Sequence, residues 1–180
     1  MPDLIHRLRS PATREGAFRE LVREHGPLLH RHLLRMLPGP ADVDDVLQNT
    51  LVKAYRNLDG FRAESKLSTW LYRIATNEAL SWLRSRQRRQ QRTLSVAPAD
   101  LANASPAGDV YFDGDEAQAR LRAALAELPP KQRAVFAFRY FDDLPYREIA
   151  AITGTSEGGL KASYHLAVKK ITAKLQAHVN

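Results

Sequence analysis

Apolar residues recur at helical spacing along most of the chain. The clearest stripe lies in residues 42–61, where the inward positions are Val43, Val46, Leu47, Thr50, Ala54 and Leu58. No segment alternates apolar and polar residues in the way a half-buried strand does. The pattern therefore predicts an all-α fold.

The first segment predicts a long scaffold helix. Ser10 and Pro11 form a favourable helix start, because proline at the first helical position loses no useful N–H group. Gly26–Pro27 is expected to kink this helix or split it in two. The sequence Pro38-Gly39-Pro40 ends it, and Asp42 is the predicted N-cap of the next helix.

Residues 59–92 combine a short loop with a long basic helix. Ser68 is the predicted cap of this helix, and its core face carries Leu71, Ile74, Ala75 and Trp82. The helix ends in arginines without any acidic residue among them, at positions Arg84, Arg86, Arg88, Arg89 and Arg92. Phe61, Trp70 and Tyr72 add surfaces on which unpaired bases could stack. Arginines and aromatics together favour contact with nucleic acid, although each aromatic alone is more often a core residue.

Residues 93–115 are rich in Ala, Pro, Ser and Asp and predict a linker between two small helical domains, 1–92 and 116–180. The second domain opens with a helical pattern from Glu116 to Leu128, which Pro129–Pro130 interrupts. A further helix is expected from Lys131 to Phe141, with Val135, Phe136 and Phe138 as core candidates.

The stretch from Leu144 to Lys170 predicts a helix-turn-helix. A short helix, a turn at Gly154–Thr155 and a longer basic helix follow one another, and Ser156 stands where the N-cap of the second helix belongs. In this motif the second helix enters the major groove of DNA. An ordinary helical hairpin is the alternative for an isolated match of this kind.

Charge is segregated along the chain. The net charge is +7 in 180 residues, which suits a polyanionic partner. Residues 1–92 hold 17 Lys/Arg against 10 Asp/Glu, whereas residues 93–115 hold four Asp and no base. Residues 129–180 are again basic, with eight bases against four acids. Two basic modules are thus separated by an acidic spacer.

Several function classes are excluded or disfavoured. There is no cysteine, so disulfides and thiolate chemistry are impossible. No apolar run approaches the roughly 20 residues of a membrane span, and the N-terminus lacks the apolar core of a signal peptide, so we expect a cytoplasmic protein without membrane insertion. The six histidines show no metal-ligand spacing, and no catalytic or nucleotide-binding motif is present. We expect no enzymatic activity, no metal and no cofactor.

Three segments in order resemble the sigma-70 family of bacterial RNA polymerase sigma factors. They are DVDDVLQNTLVKAYRNLDGF, then KLSTWLYRIATNEALSWLR, then ELPPKQRAVFAFRYFDDLPYREIAAITGTSEGGLKASYHLAVKKI. The length and the two-module layout are similar to the extracytoplasmic-function group, which keeps only domains 2 and 4. The resemblance implies a factor that binds core polymerase and directs it to promoters.

The resemblance also implies roles for individual residues. The first segment looks like the surface that binds the clamp helices of the polymerase beta-prime subunit, through Asp45, Gln48, Asn49, Val52, Lys53 and Arg56. The second resembles the part that reads and melts the −10 element, through Phe61, Arg62, Lys66, Ser68, Thr69, Trp70, Arg73, Asn77 and Arg84. Asn77 matches a family position near a flipped non-template base. The third looks like the reader of the −35 element, through Arg147, Ser156, Gly158, Lys161, Ser163, Tyr164, His165 and Lys169.

The second helix of the helix-turn-helix departs from the family pattern. Three positions that customarily hold arginine are occupied by Ser163, Leu166 and Val168. Fewer guanidinium groups mean fewer bidentate contacts to guanine, each worth ~1–3 kcal/mol of discrimination.

Partners follow from the same resemblance. They are the beta-prime clamp helices and beta flap of core polymerase, promoter DNA, and an anti-sigma factor. Two other hypotheses about the function are also compatible with the sequence. One is a stand-alone helix-turn-helix regulator that binds duplex DNA as a dimer, which leaves the aromatic and basic N-terminal module unexplained. The other is a helical adaptor that binds only protein.

Overall fold

The computed structural model describes residues 2–94 and 116–177, and within these ranges it contains helices and no strand. The predicted all-α class is confirmed. The predicted linker, 93–115, lies outside the described residues except for its first two, which extend the basic helix. The helices are α1 Pro2–Arg9, α2 Arg14–Met36, α3 Pro40–Arg56, α4 Leu67–Leu94, α5 Glu116–Ala126, α6 Pro130–Phe136, α7 Tyr146–Thr153 and α8 Glu157–Gln176.

The N-terminal helices begin differently from the prediction. A first helix, α1, precedes Ser10 and buries Leu4 and Leu8 against the core. Ser10 lies in the turn that follows, where its carbonyl accepts hydrogen bonds from the N–H groups of Thr13 and Arg14. The expected helix therefore starts at Arg14, because the serine and proline are used in a turn between two helices.

The helix α2 is not split at Pro27. It runs unbroken for 23 residues, with Pro27 inside it. Leu21 is fully buried before the proline, and Leu29 and Leu33 are buried after it. Packing on both sides of the interruption stabilises the helical path despite the hydrogen bond that proline cannot make.

Two predicted N-caps are also wrong, by three positions and by two. Gly39 caps α3 and Pro40 is its first residue, so Asp42 lies in the first turn, where Arg86 contacts its carboxylate at 3.5 Å. Similarly, α4 begins at Leu67, which places Ser68 inside its first turn. Five of the six residues predicted for the buried stripe, Val43, Val46, Thr50, Ala54 and Leu58, are buried. The sixth, Leu47, is only half-buried.

The helix-turn-helix has the predicted turn chemistry. Gly154 ends α7 with a φ of +69°, a left-handed conformation that favours glycine. Ser156 then caps α8, and its hydroxyl oxygen accepts the Gly159 N–H at 3.3 Å. Ahead of the motif, the expected helix from Lys131 to Phe141 is α-helical only to Phe136. Residues 137–141 form a π-helical turn instead.

The two halves of the chain pack together through an intermodule joint formed by His32, Tyr72, Phe138 and Asp142. The His32 ring stacks on Phe138 with 4.2 Å between centroids, and the Tyr72 ring meets both edge-on at 5.4 Å. His32 is fully buried, and its Nε2 lies 3.2 Å from the hydroxyl of Thr76. These contacts join α2 and α4 to the π-helical turn.

A buried guanidinium completes the packing between the halves. Arg133 of α6 donates to the carbonyl of Met36 at 2.8 Å, and so contacts the C-terminal end of α2. The same side chain donates to the carbonyls of Ala126 and Leu128 at the end of α5. Carbonyls at helix C-termini lack intrahelical partners and carry partial negative charge, so one cation stabilises two helix ends.

We predict that Arg133→Met lowers the free energy of unfolding by about 3 kcal/mol. The methionine keeps most of the apolar volume but leaves three carbonyls without their charged donor, each worth about 1–3 kcal/mol when buried. Urea denaturation of the purified chain measures the effect. Arg84→Met, at an exposed position of α4, is the matched control and should stay within about 0.5 kcal/mol of the parent. Equal stability of the two variants would contradict this account of the joint.

Burial sets the protonation state of the joint. It lowers the pKa of His32 below the ordinary value of 6.5, and the carboxylate of Asp142 offsets this only partly. The Asp142 oxygen lies 3.6 Å from His32 Nδ1, too far for a hydrogen bond, and Arg35 approaches the carboxylate at 2.6 Å. Burial also raises the pKa of Tyr72 to about 12. The histidine and the tyrosine are therefore neutral in the folded chain near pH 7.

We predict that stability falls as pH drops below 6.5. The unfolded chain gains a proton on His32 near that pH, while the folded chain resists protonation until its lower pKa is reached. Burial also lowers the pKa of His25, so its protonation destabilises the fold over the same pH range. The pKa of Asp142 is lowered from 3.8, so this carboxylate changes the stability only in more acidic solution. Urea denaturation between pH 7.5 and 5 should show a smaller loss for His32→Gln. The control is Thr76→Val, which keeps His32: it should be less stable than the parent but lose as much stability as the parent between pH 7.5 and 5. If His32→Gln lost as much stability as the parent over this range, the pH dependence would not come from His32.

Candidate nucleic-acid interface

One face of α4 carries most of the residues that the sequence assigned to single-stranded DNA. Lys66, Trp70, Arg73 and Asn77 follow one another three or four positions apart and so share a face, which Arg84 extends. Trp70 is half-buried, and the other four are exposed. The structure thus forms a basic strip with one aromatic and one amide.

A cavity of about 380 Å³ opens beside this strip. It lies between the end of α3 and the middle of α4, and its lining residues are Lys53, Asn57, Gly60, Trp70, Ile74, Asn77 and Glu78. One indole face, two amides and the Lys53–Glu78 ion pair are the kinds of group that stack on a base and hydrogen-bond to its edge. The sequence pointed to Trp70 and Asn77, but the approach of the C-terminal end of α3 to α4, which adds Asn57 and Gly60, is a tertiary feature.

Three aromatic or polar candidates are packed in the interior. Phe61 is 5% exposed and lies 5.2 Å from the Trp70 ring, so it supports the indole from behind. Thr69 and Tyr72 of α4 are also buried. Phe61 and Tyr72 are therefore core residues, which is the alternative that the sequence left open for each aromatic. Arg62 is exposed in the loop, and Ser68 is half-buried.

The arginine-rich end of α4 divides into two roles. Arg86 contacts Asp42 of α3 and lies over the Trp82 ring at 5.3 Å, so it stabilises the helix end locally. Arg84, Arg88 and Arg92 are exposed. These exposed cations extend the basic strip of α4 toward its C-terminus.

The outer face of α3 is exposed as predicted. All six residues assigned to polymerase binding are exposed, namely Asp45, Gln48, Asn49, Val52, Lys53 and Arg56. An open groove of about 420 Å³ runs beside them, lined mainly by apolar side chains. The sequence reading missed its inner wall, which is formed by Phe18, Leu47, Leu51 and Tyr55. Phe18 and Tyr55 touch edge to face at 5.0 Å, so the groove depends on α2 as well as α3.

The helix α8 exposes most of its predicted DNA-facing residues. Gly158, Lys161, His165 and Lys169 are exposed, as are Ser156 at the cap and Arg147 on α7, while Ser163 is half-buried. Tyr164 departs from the expectation. Its ring packs between Phe136 at 5.7 Å and Tyr146 at 6.5 Å, which makes it a support of α8.

The second module covers part of the α4 strip. The Lys66 ammonium group pairs with Glu148 of α7 at 2.7 Å. Arg73 donates to the carbonyl of Ala151 in the same helix, with its Nε at 3.1 Å. Two of the cations assigned to DNA are therefore occupied by α7 in this arrangement.

Within residues 2–94 and 116–177, no three histidine or acidic side chains lie close enough to hold a metal ion. None of the helices in these ranges has both the length and the apolar content that crossing a bilayer requires. The described surfaces instead offer basic strips, an aromatic cavity and a helix-turn-helix, which define a bipartite helical nucleic-acid-binding protein.

Comparison with known proteins identifies the family. The family models for Sigma-70 region 2 and Sigma-70, region 4 match residues 21–89 and 118–171. The chain is 32% identical over 170 residues to an ECF RNA polymerase sigma-E factor of Salmonella typhimurium, covering 90% of this chain and 88% of that protein. The chain belongs to the extracytoplasmic-function (ECF) group of the sigma-70 family, the promoter-specificity factors of RNA polymerase.

Solved structures of sigma factors share the fold. The structure of the sigma factor RpoE in complex with the anti-sigma factor NepR from Bartonella quintana matches with a TM-score of 0.69 and 25% identity, over 88% of this chain and 96% of that one. CnrH in complex with the cytosolic domain of CnrY matches with a TM-score of 0.68 and 26% identity, over 97% of each chain. The alternative of a stand-alone regulator is not favoured by these relatives.

Proposed function

We propose that the chain initiates transcription by capturing a base of the −10 element in the cavity beside α4. The observation that carries this proposal is that Trp70 and Asn77, both on the α4 strip, line one cavity of about 380 Å³. A flipped base would stack on the indole while its edge hydrogen-bonds to the amides. The exposed arginines of α4 would hold the neighbouring phosphates. Binding energy would thereby open the duplex without nucleotide hydrolysis, and the chain itself is not an enzyme.

The helix-turn-helix would read the −35 element as duplex DNA. Ser156, Gly158, Lys161, His165 and Lys169 form an exposed surface at the start and along the length of α8. Contacts from lysines to phosphates would position the helix, and contacts to base edges would supply sequence preference.

Reading both elements requires the two halves to separate. The names of the elements place them about 25 base pairs apart, or about 85 Å at 3.4 Å per step. A compact chain of this length has a radius of gyration of about 16 Å and so a diameter of about 40 Å. Separation would also release Lys66 and Arg73 from α7. The division into residues 1–92, a linker 93–115 and residues 116–180 is the arrangement that this opening would use.

The exposed α3 face and the neighbouring groove would bind the clamp helices of the polymerase beta-prime subunit, and the second module would meet the beta flap. Val52 and Tyr55 are 42% and 40% exposed, which is high for large apolar side chains beside a groove. Solved relatives carry an anti-sigma factor or a cytosolic partner domain. An anti-sigma factor that covers this groove would compete with polymerase. The chain would act in the cytoplasm, where polymerase and DNA are found.

We expect transcription from genomic fragments of the source bacterium only when the chain and core polymerase are combined.

Asn77→Ala should reduce the amount of melted −10 DNA about tenfold, because the captured base loses about one to two hydrogen bonds. Permanganate reactivity of unpaired thymines measures melting, and gel shifts at low temperature measure closed complexes, which should change little.

Gln87→Ala, at an exposed position of the same helix, is the control and should melt DNA normally. Equal loss of closed and melted complexes in Asn77→Ala would contradict the base-capture role. Specific duplex binding without polymerase, with no initiation alongside it, would contradict the proposed function as a whole.

We predict that Val52→Glu weakens binding to core polymerase at least tenfold. A carboxylate at the centre of an apolar contact must be desolvated without a partner, which costs more than the roughly 1.4 kcal/mol that a tenfold change represents. Fluorescence titration of labelled chain with core enzyme gives the dissociation constant. Leu28→Glu, at a similarly exposed apolar position on α2, should bind as the parent does. Parental affinity in Val52→Glu would place the polymerase contact elsewhere.

A further inference from the structure

The outer surface of α8 contains an exposed apolar strip formed by Ala162 and Leu166. These residues are four positions apart and lie on one face of the helix. Leu166 is 47% exposed, which makes it the most exposed leucine among the large hydrophobic residues of the described surface. If α8 binds DNA, as the sequence predicts, an apolar group of the DNA would have to contact this strip.

Cations border this strip on both sides. Lys161, His165 and Lys169 follow at four-residue spacing along one edge, and all are exposed. On the other edge lies Lys170, which also contacts Gln132 at 3.3 Å. Bordering cations suit the two rows of phosphates that flank the major groove.

The start of α8 is shaped for a close approach. A side chain at Gly158 would meet no atom within 4 Å, so packing within the chain does not require glycine there. Glycine inside a helix costs about 1 kcal/mol relative to alanine. The absence of a side chain at this exposed position lets the helix backbone come near an external surface, as the first turn of a recognition helix does in the major groove.

We propose that α8 reads thymine C5-methyl groups in the −35 duplex through Leu166 and the strip around it. In the major groove the thymine methyl is the apolar feature of the base edges, and aliphatic side chains recognise it by contact. The strip is about 6 Å long and spans about two base-pair steps. This inference rests on the proposed function and specifies what its second DNA surface recognises. It also explains how a recognition helix with Leu166 at a customary arginine position retains sequence preference.

The test uses polymerase holoenzyme reconstituted with the chain and promoters selected from genomic fragments. Each thymine in the −35 region is replaced in turn by uracil, which pairs identically and lacks only the methyl group. We expect at least one replacement to reduce open-complex formation about fourfold, the value of one buried methyl group. Leu166→Ala should lose this preference for thymine over uracil, and Leu28→Ala, a matched change on α2, should keep it.

A second variant makes the test independent of the loss of one side chain. Leu166→Arg should shift the preference at the same position from thymine toward guanine, because a guanidinium can pair with the guanine O6 and N7 atoms. Equal use of thymine and uracil by the parent, or unchanged discrimination in Leu166→Ala, would overturn this inference while transcription itself persists. Selected promoters without thymine in the −35 region would also overturn it. Absence of any polymerase-dependent transcription would overturn the proposed function and this inference together.

Discussion

One buried guanidinium holds together helix ends from opposite halves of the chain. Arg133 donates to the carbonyl of Met36 at the end of α2 and to the carbonyls of Ala126 and Leu128, at and just after the end of α5. Those carbonyls could not be buried without a donor, since each would lose its hydrogen bond to water. Because the ends are satisfied, the His32–Phe138 stack can form beside them. The closed arrangement of the two modules therefore depends on a polar contact as much as on apolar area.

The same arrangement opposes promoter binding. Lys66 and Arg73 contact α7 when the modules are together, so the strip that would hold DNA is partly used within the chain. The open arrangement must replace these contacts, and it also exposes the apolar joint to water. Polymerase and promoter DNA favour opening only through contacts that the closed chain cannot make. In the proposed function, core enzyme on the α3 face and phosphates on the cations would be such contacts, so the joint would raise the affinity that both partners must supply.

The features that could be predicted from the sequence are those fixed by neighbouring residues. The α3 stripe and the turn at Gly154 follow from periodicity and from one required backbone conformation. The continuous path of α2 through Pro27 could not be predicted, because it depends on leucines that become buried only when other helices pack on them. Long-range contacts such as Arg133 to Met36 leave no local signal. For the candidate site, the family resemblance named Trp70 and Asn77, and both line one cavity; that cavity also needs the end of α3, which only the tertiary fold brings near α4.

The π-helical turn at residues 137–141 determines how the helix-turn-helix is oriented. A π turn holds one more residue than an α-helical turn of the same rise, and one residue corresponds to about 100° of rotation about the helix axis. Phe138 lies within this turn and Asp142 directly after it, and both face the first module. A chain one residue shorter here would form a regular helix and rotate α7 and α8 away from α4. The length of this segment therefore fixes the angle of the helix-turn-helix, and a homologue that gains or loses a residue in it would hold the second helix of that motif at a different angle.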